Sequence, residues 1–230
     1  MGRKPGNKER RMSRLIAILA ALAVPSLALA DSWVIDSAHS EAEFHVKHMM
    51  VSSVDGSLGT VSGTVDFDEK HPEKATVDAS IDVTQLDTRV EKRNGHLKSA
   101  DFFDVEKFPT ATFKSTKVTK KGKGKLLVAG DLTMHGITKP VTLTVNGPSP
   151  VFTSPFGSLV RAFSATTKLN REDFGLTWNK PLEAGAGVLV GKDVDVLLTV
   201  EINPPKPAAP APAAAAPAPA TPPPAAPAAQ

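Results

Sequence analysis

The chain has 230 residues, 27 Lys and Arg against 24 Asp and Glu, and no cysteine. It therefore has no disulfide staple, no thiol nucleophile and no lipid-modified N-terminal Cys. The isoelectric point of about 9.1 gives no warrant for a nucleic-acid partner: residues 1–30 hold six basic groups and one acidic group, which leaves 21 against 23 and a net charge of −2.

Residues 1–30 read as a cleavable signal peptide. Arg3, Lys4, Lys8, Arg10, Arg11 and Arg14 form a basic start, LIAILAALAV (15–24) is an apolar run broken by Pro25, and ALA (28–30) offers small residues for cleavage before Asp31. The apolar run is about half the ~20 residues that span a bilayer. Arg10-Arg11 hints at twin-arginine export, but the flanking ERRMS fits that route poorly and favours the ordinary secretory one. The expected location is the periplasm or the exterior.

From residue 32 to 202 the dominant period is two. EAEFHVKH puts Ala42, Phe44, Val46 and His48 on one face; GTVSGTVDF does the same for Val61, Gly63, Val65 and Phe67, and KATVDASIDV for Val77, Ala79, Ile81 and Val83. Next comes the one helical interruption, between 88 and about 108. Thr88 and Glu91 stand at capping-box spacing, Asn94-Gly95 is expected to break the helix, and Asp101 is expected to cap a second turn. Pro109 biases Phe108 towards extended backbone and hands the chain to the strand TATFKST. Alternation resumes in KLLVAGDLTM (Leu126, Val128, Leu132, Met134), VTLTV (Val141, Leu143, Val145) and DVDVLLTVEI (Val194, Val196, Leu198, Val200, Ile202). KKGKGK (120–125), HGITKP (135–140), HPEK (71–74) and NGPSP (146–150) punctuate the strands.

Such alternation marks antiparallel strands with one face on a core and one in water. Eight or nine strands in one domain predict an all-β fold, an antiparallel barrel whose closure removes sheet edges. About eight strands make a barrel just wide enough to be filled by side chains or to hold one slim ligand, and periodicity leaves both open. Residues 203–230, with 11 Pro and 13 Ala, cannot bury a core and predict a disordered, extended tail.

Four blocks are more specific: IDSAHSEAEFHVKHMM (35–50), HLKSADFFDVEKFPTATFKST (96–116), GDLTMHGITKPVTL (130–143) and LNREDFGL (169–176). In this order and spacing they resemble the YceI-like family of exported lipid-binding proteins, over nearly the whole of 32–202. The Pro/Ala tail is an addition to the common pattern. The resemblance implies an extended lipocalin-like eight-stranded barrel whose apolar channel takes a polyisoprenoid, such as an isoprenoid quinone or a polyprenyl tail. It also implies a binding protein, not an enzyme, in transport, sequestration or the stress response. A filled barrel with a structural or stress-protective envelope role is the alternative.

Candidate channel residues are Phe44, Val46, Val65, Phe67, Ile81, Phe113, Leu132, Met134, Leu143 and Phe163. Phe102 and Phe103, adjacent at a bend, read as either a plug completing the core or a lid over the channel. His48 is a buried imidazole or a polar group at the channel mouth. Phe174 and Trp178 either line that mouth or belong to a polar turn in which Arg171 pairs with a neighbouring carboxylate. His39, His45 and His48 are not expected to bind metal: on an extended strand His39 and His45 stand about 20 Å apart, and His48 has the opposite parity to His45. His135 reads as an exposed turn residue, and His96 as the wet side of the lid. PLEAGAGVLVG (181–191) is a long loop without phosphate-loop spacing, and no G-x-S-x-G or H-E-x-x-H motif is present. No cofactor is expected beyond a bound lipid; transient membrane contact and a homodimer are left open.

Overall fold

A computed structural model describes residue 2, residues 31–185 and residues 187–205. The expected signal peptide, but for residue 2, and residues 206–230 of the expected tail lie outside the described residues. The period-two segments form ten strands: β1 (Asp31–Ile35), β2 (Glu41–His48), β3 (Ser52–Phe67), β4 (Thr76–Asp82), β5 (Thr110–Gly122), β6 (Lys125–Met134), β7 (Ile137–Asn146), β8 (Phe152–Thr153), β9 (Leu159–Asn170) and β10 (Val190–Asn203). All pairings are antiparallel. A ring of eight closes in the order β2-β3-β4-β5-β6-β7-β9-β10, with β10 back on β2. β10 runs through Asn203, one residue into the segment expected as tail.

The extra strands are an interruption and an annex. β1 and β2 share one slot between β3 and β10, since Val34 faces Thr64 and Asn203 while His48 faces Ser52 and Val190. They are one strand, broken at residues 36–40, where Asp36 caps a turn by accepting from the Ala38 N–H. His39 therefore sits in that turn and not on an extended strand. β8 pairs with β9 alone, outside the ring.

Bulges set which residues face inwards. Between Glu41 and Glu43 of β2, β3 gains one residue, and Gly59 there adopts a φ of +125°. A Cβ on Gly59 would lie 2.0 Å from the Asp82 carbonyl oxygen, so only glycine fits. The inward set on β3 thereby passes from Gly56 and Leu58 to Val61, Val65 and Phe67. A second bulge, at Thr116 of β5, moves the inward set from Ala111 and Phe113 to Val118.

The insertion between β4 and β5 holds one helix, α1 (Glu91–Lys98). It differs from expectation in three ways. Its N-cap is Val90, with no side-chain cap. Asn94-Gly95 does not break it: the Asn94 Oδ1 accepts from both the backbone N–H and the hydroxyl of Thr88 at 2.7 Å, so Thr88 is pinned from inside the helix. Asp101 caps no second helix, and its carboxylate lies 3.0 Å from the His96 Nε2. Two apolar clusters result. One, around Trp33, Val65, Phe67, Val128 and Ile202, lines the lower barrel; the other, around Val83, Phe102, Met134, Phe174 and Leu176, packs the insertion onto the upper rim.

Candidate functional site

Inward side chains of seven ring strands, β3 to β7, β9 and β10, converge with Ile35 of β1 on one channel. It offers about 160 Å³, taken as the room open to the centre of a water molecule, where ~10–15 Å³ admits one water. That is room for far more than one water. Its lining is aliphatic and aromatic apart from Thr112 and Thr167. At the floor, Phe67 and Phe163 meet edge to face with centroids 6.1 Å apart, and the Arg161 guanidinium lies 5.4 Å from the Phe67 ring. Arg161 is buried, donates to the Ser149 carbonyl at 3.1 Å and pairs with Glu69. At the top, Phe103 borders both the channel and a second chamber of about 80 Å³, which shares Leu58, Met134, Leu169 and Val196 with it.

Residues 33–202 match the model of the YceI-like domain. The chain belongs to the YceI-like family. UPF0312 proteins of two Vibrio species are similar to it: that of Vibrio parahaemolyticus is 42% identical over 158 residues, 68% of this chain and 83% of its own length. That of Vibrio cholerae is 36% identical over 165 residues, 70% and 86% respectively. Among solved structures, a Campylobacter jejuni YceI protein superposes with a TM-score of 0.58 at 27% identity, covering 70% of this chain and 90% of its own. Burkholderia cenocepacia BcnA (TM-score 0.62, 23% identity, 73% and 98% coverage) shares the fold. So does a polyisoprenoid binding domain from Saccharophagus degradans (0.53, 15%, 77% and 99%).

In this YceI-like barrel the expected residues fall into four groups. Val65, Phe67, Ile81, Phe113, Leu132, Leu143 and Phe163 line the channel; Phe44, Val46 and Phe102 line the upper chamber; Phe103 and Met134 border both. His48, Phe174 and Trp178 line neither. His48 ends β2, half-buried opposite Val190. Phe174 is 2% exposed within the rim cluster, drawn there by the short 3-10 turn Arg171–Phe174. Trp178 packs on the insertion, its ring edge to face with His96 at 4.7 Å and tilted against Phe102 at 5.2 Å. His96 thus packs on two aromatic rings as well as meeting Asp101.

Parity missed residues beyond the bulges, notably Leu58 and Val118; Leu169, at the end of β9, continues the parity of Phe163 and was not among the candidates. It also missed Arg171 on the upper chamber. That side chain is buried, and its main partners are the carbonyls of Gly191 (2.9 Å), Leu176 and Val190 (3.5 Å); the Glu172 carboxylate is only at 3.9 Å. Beyond the expected local pair with Glu172, Arg171 thus clamps the start of β10 to the turn at Leu176, and burial holds the guanidinium pKa below its ordinary value. His135 is likewise not an exposed turn residue: its Nδ1 lies 3.1 Å from the Phe174 carbonyl and its ring meets Phe108 at 4.9 Å, because the 171–175 turn folds over the β6–β7 hairpin.

Among the described residues, Asp36, His39 and Glu201 bring ligand atoms within 4.8 Å of one another. The Asp36 carboxylate is already engaged by the Ala38 N–H, the Asn203 amide and His39, each at 3.0 Å. The hydrogen bond from His39 lowers the Asp36 pKa, and Asp36 in turn raises that of His39.

Proposed function

We propose that this YceI-like protein binds a polyisoprenoid lipid, a polyprenyl chain or the tail of an isoprenoid quinone, inside the barrel, and carries or stores it outside the cytoplasm. The observation that carries this reading is the apolar channel, with a second apolar chamber on the far side of Phe103. A polyisoprenoid has no polar handle along most of its length, so a site for it needs shape and apolar surface. Each buried methylene contributes about 0.8 kcal/mol, so length alone gives affinity. The similar fold of the Saccharophagus degradans domain, which is named for polyisoprenoid binding, supports the same ligand class. Among the described residues, the channel lining has neither paired carboxylates nor histidine, which favours binding over turnover. The room inside weighs against a filled barrel with a purely structural role.

The test is native mass spectrometry and organic extraction of protein exported by a bacterial host. A stoichiometric polyprenyl lipid is expected; an empty protein that also refuses a ubiquinone-type lipid would overturn the reading. Ala79, which faces Gly63 and Phe113 across the sheet and lines the channel, gives a sharper version. Ala79→Trp should abolish lipid uptake with the melting temperature nearly kept, whereas overpacking a filled core would cost about 1–3 kcal/mol of stability.

A further inference from the structure

The floor end of the barrel carries a feature that lipid binding in the channel leaves unused. Residues 147–160 contain no ionisable group. They form the β8–β9 hairpin, which stands outside the ring and exposes four large apolar side chains: Phe156 at 95%, Phe152 at 66%, Val151 at 46% and Leu159 at 42%. A soluble surface seldom leaves such side chains uncovered together. Beside the hairpin lies the β5–β6 turn KKGKGK, joined to it through the Gly147 N–H on the Gly124 carbonyl at 2.9 Å and the Lys125–Asn146 pair. Lys120 is paired with Glu73, and Glu69 is held by Arg161. Among the described residues, the exposed Lys121, Lys123 and Lys125 have no ion-pair partner.

We propose that this end docks on an anionic lipid surface, with Phe152 and Phe156 entering the headgroup region and Lys121, Lys123 and Lys125 meeting lipid phosphates. Charge complementarity chooses the occupant. Apolar side chains beside three lysines without an ion-pair partner among the described residues match the two-part binding of interfacial segments, burial plus attraction to anionic lipid. A second copy would set these lysines against each other. The Pro/Ala tail, which leaves the barrel at this end after Asn203, has one charge of its own, Lys206, and that is of the same sign. The attachment does not depend on what the channel holds.

Co-sedimentation of the exported chain with phosphatidylcholine vesicles, with and without about one third phosphatidylglycerol, tests it. Every variant keeps the same termini, so differences belong to the floor end. Binding to anionic vesicles is expected to fall on the order of 100-fold in K121Q/K123Q/K125Q and about tenfold or more in F152S/F156S. Rising salt should weaken the wild type and F152S/F156S, and the triple variant much less. The sites are exposed, so melting curves should overlay. Equal binding to neutral vesicles, no binding by the wild type, or either variant binding like the wild type would overturn the proposal. So would a wild-type dimer that F152S/F156S splits, which would assign the patch to a second copy.

Discussion

Asn94 belongs to an eight-residue helix, yet its amide works outside it. Besides accepting twice from Thr88, it donates from Nδ2 to the Asp87 carboxylate at 2.7 Å, and Asp87 exchanges backbone hydrogen bonds with Ser57 of β3 at 2.8 and 3.1 Å. The Asp87 pKa is lowered first by the Arg89 N–H and then by Asn94. One side chain therefore ties the insertion to the barrel wall. Thr88 is 2% exposed, so Asn94→Ala strands buried donors, each costing about 1–3 kcal/mol. A total loss of about 2–4 kcal/mol is expected in urea unfolding. Gly95, one residue on, has nothing within 4 Å of where a Cβ would stand and no positive φ. Gly95→Ala should stabilise by about 0.5–1 kcal/mol. Opposite signs at adjacent residues separate a pinned helix from the broken one that Asn-Gly suggests.

At the scale of elements, the insertion presents two aromatic side chains in different directions. Phe103 turns to the channel and the upper chamber, while Phe102 is sandwiched towards His96 and Trp178. The fold at this end is set by tight backbone bonds, Phe103 N–H to Leu97 O at 3.0 Å and Val105 N–H to Lys98 O at 3.1 Å. If the channel holds a lipid, Phe103→Ala should raise its dissociation rate on the order of tenfold, the effect of one aromatic side chain's buried surface. Stopped-flow displacement of a fluorescent polyprenyl probe measures this, and an unchanged rate would remove Phe103 from the ligand's path. Strand existence and facing were legible wherever alternation ran unbroken, as in β2, β4, β6 and β10. They were not legible past the bulges, because one extra residue at Gly59 or Thr116 reverses parity without any change in composition. Short β1 and β8 carry too few residues for a period to show. Arg171 and His135 escaped because their partners are backbone carbonyls of the 174–176 turn and of the start of β10, contacts that strand alternation does not encode.

For the whole molecule, closure depends on two uneven joints. β7 and β9 share three pairs, Thr144–Thr166 to Asn146–Ser164, so the first half of β7 has no β9 partner. Pro140, which lacks an N–H, falls in that unpaired stretch, where it costs no ladder bond. The other joint is the break between β1 and β2, fastened to β10 by the Asp36 N–H on the Glu201 carbonyl at 2.9 Å, by the Glu201 N–H on the Ser40 hydroxyl at 3.0 Å and by the Asn203 amide on the Asp36 carboxylate at 3.0 Å, which the Asp36–His39 pair holds in place within the turn. The second joint should titrate. The Asp36 pKa is lowered from its ordinary 3.8, so its contribution is present above that value and lost as pH falls through the lowered one. The His39 pKa is raised from its ordinary 6.5, chiefly by Asp36 and further by the Glu201 charge, so its contribution is full below 6.5 and lost as pH rises through the raised value. The pair therefore supports closure most between about 4 and 6.5. In a double-mutant cycle of Asp36→Asn and His39→Gln, the coupling in melting temperature should be larger near pH 5.5 than near pH 9. Equal coupling at both would mean that the pair holds the turn as a neutral hydrogen bond, with no part for its charge.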